Sequence, residues 1–252
     1  GTLREAMDRQ LDALRKTVVQ SCLHGTFPSR AEMLRQVSAL SLDLSAPCYH
    51  VVRVSLLDPW RPPAENAQIL PYRIFLKQFF AEHLDISHVA SDIDVASFAL
   101  LLIEREAHGA ESLAARFRAL SEQVGRQDWV VPSFSISDGC DDLWEVKSLY
   151  AQTDEIAGYM ALLERRGVFC AEDLPQSPDT MYFPMEVEIR FMQSLKHGTR
   201  AELEAVLDEI LRANLQQRSL DAAMLRNLFE ALRHSILRAL QDEGRKPLQI
   251  MT

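Results

Sequence analysis

Between residues 47 and 169 the apolar pattern changes period in the order strand, helix, strand, strand, helix, strand, helix. Few folds accept that order, because each helix must return the chain to a strand of the same sheet. Tyr49-His-Val-Val-Arg-Val-Ser-Leu-Leu57 alternates in character and is dominated by β-branched residues, so it reads as the first strand. Asp58-Pro-Trp-Arg-Pro-Pro63 stops it, since proline cannot donate to a ladder. A helix is expected over 64–83, with Ile69, Tyr72, Phe75, Leu76, Phe79 and Phe80 inward and Pro71 marking a kink or a late start. Residues 88–95 and 97–104 read as a hairpin. Its second strand is almost wholly apolar, as a strand covered on both faces would be. A helix over 111–124, a strand over 129–137, a helix from 143 to about 165 and a closing edge strand at 167–170 complete the segment. Asp141 or Asp142 is placed to cap the second of these helices.

Helices flank this core. Leu3, Met7, Leu11, Leu14 and Val18 are spaced by four, four, three and four residues, which puts them on one helical face. That spacing suits a short coiled-coil segment or a helix packed on its own domain, and the five residues are the expected self-association face. His24-Gly-Thr-Phe-Pro28 ends the helix. Ser29 followed by Glu32 opens a second one carrying Met33, Leu34, Val37 and Leu40. Residues 171–183 hold Pro175 and Pro178 and read as a linker. Beyond Pro184 the pattern is helical throughout: 185–196, then 200–214 behind a Thr199/Glu202 capping box, then 222–242. The last helix turns Leu225, Leu228, Phe229, Leu232, Ile236 and Leu240 inward. The expected fold class is thus α/β (α+β), a ferredoxin-like sheet with flanking helices. The expected division is 1–46 N-terminal helices, 47–170 α/β domain, 171–183 linker and 184–252 helical subdomain.

A net charge of -9 and the lack of any basic block argue against direct nucleic-acid binding by this chain. Cys22, Cys48, Cys140 and Cys170 are far apart and form no CxxC pair, the usage expected of buried, reduced thiols in a cytosolic compartment. No run approaches the roughly 20 apolar residues of a membrane span. The chain opens on Gly1-Thr2 and stops in residues 244–252 without a closing structural signal, so it is expected to be a piece of a longer protein.

No P-loop, GxSxG or GxGxxG occurs. Asp58, Asp92 and Asp94 are the carboxylates that a magnesium-dependent nucleotide site would require at a strand end and in a hairpin. Each also has a plain structural use, as an Asp-Pro stop or as a carboxylate turned to water, and no metal, cofactor or catalytic residue is assigned. His24, His50, His83, His88, His108, His197 and His234 include no HxxxH or HExxH pair, and each is expected at the surface or in a cap. Cys140 stands beside Asp141 and Asp142, which would raise its pKa. Trp144, Leu149 and Tyr150 are expected in the core of their helix.

Several motifs, in order, resemble the cytoplasmic regulatory region of AraC-type transcription regulators, including those behind membrane sensors and the YesN-type response regulators. Leu23-His-Gly25 is similar to the end of that region's opening helix, and Tyr49-His-Val-Val-Arg-Val-Ser-Leu-Leu57 to its first strand. Phe134-Ser-Ile-Ser137 with Asp142-Leu-Trp-Glu-Val-Lys-Ser-Leu-Tyr-Ala151 resembles its later strand and helix. Tyr182-Phe-Pro-Met-Glu-Val-Glu188 with Leu195-Lys-His-Gly198 resembles its "YP.E.E..L...L..GD" helix. The resemblance implies a degenerate nucleotide-cyclase-like (GGDEF) domain plus a helical tail. The active loop would fall at Ala90-Ser-Asp-Ile-Asp-Val95, where no Gly-Gly pair and no Glu-Phe stand. The resemblance therefore implies a non-catalytic signal-transmission and dimerisation module of a transcription regulator. It would be a homodimer, cytoplasmic or the cytoplasmic part of an inner-membrane protein. The sensor segment and the helix-turn-helix domain would lie outside the chain. The rival readings are an active magnesium-dependent cyclase-like enzyme and a small-ligand sensor.

Overall fold

The computed structural model describes residues 2–56, 69–124, 131–176 and 179–242. Two compact units divide the chain, Gly1–Asp173 and Leu174–Thr252.

In the first unit, helices α1 (Thr2–His24) and α2 (Arg30–Ala39) precede a sheet with strands β1 (Cys48–Ser55), β2 (Ser87–Asp92), β3 (Ser97–Glu104), β4 (Ser133–Ile136) and β5 (Val168–Cys170). Helix α3 (Ile69–His83) joins β1 to β2, α4 (Ala110–Val124) joins β3 to β4, and α5 (Val146–Leu162) joins β4 to β5. The strand order is β2-β3-β1-β4-β5. Neighbours run antiparallel from β2 through β4, and β5 adds to β4 in parallel. The first four strands therefore make the split βαβ arrangement expected from the order of elements.

Both faces of the sheet are covered, for the reason legible in β3: its residues alternate between two cores. Phe98, Leu100 and Leu102 join Val52, Val54, Leu56, Phe134 and Ile136 beneath α3 and α4, where Phe80 and Phe117 pack on Phe134. Ala99 and Leu101 join Tyr49 and Val51 on the other face, beneath α1, α2 and α5. Helices α1 and α2 thus share a core with the sheet, whereas the expected division set residues 1–46 apart. Apolar burial of this kind, worth about 25 cal/mol per Å², dominates the stability of such a layered unit.

Local chemistry ends the elements where the sequence marks them. After α1, Gly25 adopts φ +62°, Thr26 N–H donates to Ser21 O at 3.1 Å and Gly25 N–H to Cys22 O at 3.3 Å. This is the Schellman closure that a glycine makes without strain. Ser29 Oγ accepts from Glu32 N–H and starts α2, but the Glu32 carboxylate turns to Arg35 and Gln36, so the expected capping box is only half made. Asp142 caps a single 3₁₀ turn, Leu143–Glu145, ahead of α5. Pro71 stands in the first turn described for α3, where its missing N–H costs nothing. The start expected for that helix at residue 64, and the expected strand residues 129 and 130, lie outside the described residues.

The second unit holds α6 (Met185–His197), α7 (Arg200–Leu211), a π-helical turn over Arg212–Gln216 and α8 (Ala222–Asp242). Thr199 and Glu202 form a complete capping box on α7. Buried Asn214 in the π turn accepts from Tyr182 N–H at 2.7 Å and donates to Tyr182 O and Ile210 O at 2.8 Å. It thereby fixes the strap that leads into α6. Leu225, Leu228, Leu232, Ser235 and Ala239 form the inward seam of α8. Phe229 and Ile236, expected inward, are exposed, because the buried seam is narrower than the apolar stripe.

Candidate functional site

Three places carry the chemistry worth weighing: the hairpin between β2 and β3, the outer part of α1, and a buried polar cluster where β3 meets α4.

At the hairpin, Asp94 is occupied with the turn itself. Its Oδ1 accepts from Ala96 N–H at 2.7 Å and its Oδ2 from Ser97 Oγ–H at 2.8 Å. Asp92 pairs with Lys77, and the Arg73 Nε lies 3.5 Å away; Arg73 also donates to the Asp94 carbonyl. Lys77 rests 5.4 Å from the centre of the Phe98 ring. Two cations from α3 thus answer the Asp92 carboxylate, and Asp94 spends its carboxylate oxygens on local donors. Asp58, the third acidic candidate, lies outside the described residues. Among the described residues no three His, Cys, Asp or Glu side chains group as a metal site.

Helix α1 behaves as two halves. Val18, Val19, Cys22 and Leu23 are buried in the core shared with α2 and α5. Gly25 approaches α5 so closely that a Cβ there would lie 2.9 Å from the Lys147 Cδ, and the His24 ring packs edge-on against Tyr150. Above Arg15, Leu11 and Leu14 are 38% and 49% exposed. Of the five residues on the expected self-association face, Leu11 and Leu14 therefore face outward and Val18 belongs to the fold. The side chains of Leu3 and Met7 lie outside the described residues.

The polar cluster joins residues that the sequence scatters. In the β1–β3 ladder His50 stands opposite Leu102 and Cys48 opposite Glu104, so His50 and Glu104 are diagonal neighbours on one face. The Glu104 side chain is fully buried. His108 donates to its Oε2 twice, from Nδ1 at 2.7 Å and from the backbone N–H at 3.1 Å. The His50 Nδ1 lies 2.7 Å from Oε1, an ion-pair distance without hydrogen-bond alignment. Burial pushes the Glu104 carboxyl upward, but the His50 and His108 contacts outweigh it and hold the group below the ordinary carboxylate value. On the far side of His108, an Arg116 N–H points to Nε2 at 3.4 Å, and Arg116 pairs with Asp85 at 2.5 Å. Gly139 closes over His50: a Cβ there would sit 2.9 Å from its Cε1 and Nε2.

The expectation that every histidine lies at the surface or in a cap fails at His50, which is 1% exposed. The sequence held one signal: Glu104 ends an apolar strand, and His50 interrupts β1 on the face of Val52 and Val54. The cysteines are free, and burial is the largest cause that raises the thiols of Cys22 and Cys170 to about 11. Cys140 is raised too, by burial first and then by charged neighbours that include Asp141 and Asp142. None is a poised nucleophile. Leu149 is buried as expected, with Trp144 and Tyr150 partly buried against the same core. Among the described residues no helix is long and apolar enough to cross a membrane. No family model matches the chain, and none of the curated proteins matches it.

Proposed function

We propose that this chain is the regulatory, signal-transmitting and dimerising module of an AraC-type transcription regulator, and that it is not a catalyst. The observation that carries the reading is the division of α1. One end is fixed in the sheet's core through Val18–Leu23, while Leu11 and Leu14 stay exposed at helical spacing on the same rigid rod. A helix of 23 residues spans about 35 Å. A displacement at its outer end is therefore delivered to α5 and the sheet through the Gly25 closure. The hairpin carboxylates, already engaged by local partners, support a relay over a cyclase-like enzyme, and the charge of -9 supports a DNA reader that lies elsewhere.

Sedimentation tests the reading. The expected result is a dimer at tens of micromolar that dissociates on Leu11→Asp with Leu14→Asp, while the circular dichroism of the α/β unit is retained. A wild-type monomer that is indifferent to both substitutions overturns the dimerisation role. Magnesium-dependent binding of GTP or ATP in a titration calorimeter would revive the enzyme reading.

A further inference from the structure

Strand β2 is one edge of the sheet, and the ladder it forms fixes which of its backbone groups are free. Leu56 N–H donates to Ala96 O at 2.8 Å and Ile93 N–H to Ser97 O at 3.1 Å, so even-numbered residues of β3 bond to β1 and odd-numbered ones to β2. Ser87, Val89 and Ser91 therefore spend their N–H and C=O groups on β3. Those of His88, Ala90 and Asp92 point out of the sheet, and among the described residues nothing meets them. The opposite edge is guarded: β5 is three residues long, and the Asp173 carboxylate accepts from the Cys170 N–H at 2.7 Å. β2 lacks the usual guards. Ser87–Asp92 holds no proline and no lysine, and its register with β3 runs on without a bulge.

We infer that this edge pairs with β2 of a second copy of the chain, antiparallel, about a twofold axis at Ala90. The register follows from where the free groups stand. With the axis there, all three outward residues of one copy face the three of the other, and each facing pair exchanges two hydrogen bonds. An axis at any other residue of β2 leaves Asp92 or His88 without an outward residue of the partner strand opposite it. The same register keeps the carboxylates apart: each Asp92 stands across from the partner's His88, whereas an axis at Asp92 would set two like charges against each other. At the axis each copy presents only the methyl group of Ala90, so the strands approach without a clash. Helix α1 packs on β2, so the axis also brings the two α1 helices close to one another; the inference rests on the dimerising reading to that extent.

Amide hydrogen exchange on the wild type at about 1 and about 50 micromolar, read beside sedimentation, tests this. The His88, Ala90 and Asp92 amides are expected to slow about tenfold as the dimer forms, while those of Ser87, Val89 and Ser91 are protected at both concentrations. Ala90→Pro removes an outward N–H and no bond to β3, and is expected to leave a folded monomer. His88→Asp sets a second carboxylate across from Asp92 of the partner subunit and is expected to weaken association about fivefold, which keeps the test open should the proline variant fail to fold. A dimer whose outward amides exchange as fast as in the monomer overturns the edge pairing and leaves the edge to a strand of another protein. If that dimer also dissociates on Leu11→Asp with Leu14→Asp, the dimerising reading stands without it. A dimer that survives those two substitutions and falls to Ala90→Pro supports the edge and removes the α1 face. A wild-type monomer at both concentrations overturns both.

Discussion

The two ends of the sheet use the same side-chain chemistry to opposite effect. At the hairpin, Asp92 and Asp94 stand at the rim, Asp92 more than half exposed, and meet Lys77, Arg73 and the turn's own donors. At the other end, Glu104 is fully buried between two histidines and feels a guanidinium only through one of them. Water screens the first set, so it adjusts the shape of a turn. The second has no water to fall back on, and every partner it lacks is a cost to the fold. Position along a strand, rather than residue type, decides which carboxylate the unit depends on.

The comparison breaks most easily at Glu104. Glu104→Ala leaves His108 without its acceptor and His50 without the carboxylate beside it, and urea denaturation is expected to show a loss of about 3–5 kcal/mol, the scale for removing one member of a buried pair. Gly139→Ala comes next, at about 1–3 kcal/mol, because its new Cβ meets His50 within the packed turn. The acid limb sharpens the contrast. Glu104 is held below its ordinary value, so its contribution is complete above that ordinary value, near pH 4.3, and is lost as pH falls through the lowered one. Denaturation midpoints of the wild type are expected to fall more steeply below pH 4.3 than those of Glu104→Gln. Asp92→Asn at the hairpin is expected to cost under about 1 kcal/mol and to become indistinguishable from wild type in high salt. Leu14→Asp, on the outer half of α1, is expected to leave the unfolding free energy within about 0.5 kcal/mol while changing the association state. A Glu104 variant as stable as Asp92→Asn would erase the distinction between the two ends.

Much of this architecture is legible residue by residue. The alternation in β1, the two-faced apolar run of β3, Ser29, Asp142 and the Thr199–Glu202 box all act over a few residues, and the structure uses each where the sequence placed it. The misses are of another kind. Phe229 and Ile236 fit the inward stripe of α8 but stay exposed, since helical spacing marks an apolar side without saying how much of it a neighbour covers. Val18 shares a spacing with Leu11 and Leu14, yet a different partner, the sheet, claims it. His50 and Glu104 stand 54 residues apart. Nothing local pairs them until the β1–β3 register makes them diagonal neighbours.

By itself the chain determined its periods, its caps and the order of its strands and helices, because these rest on backbone geometry and side-chain sterics within one or two turns. Tertiary structure alone decided the register of β1 against β3, the sharing of α1 between core and solvent, and the burial of one glutamate between two histidines. Those outcomes depend on which distant surfaces exclude water from each other. That is a property of the assembled layers and of no single segment.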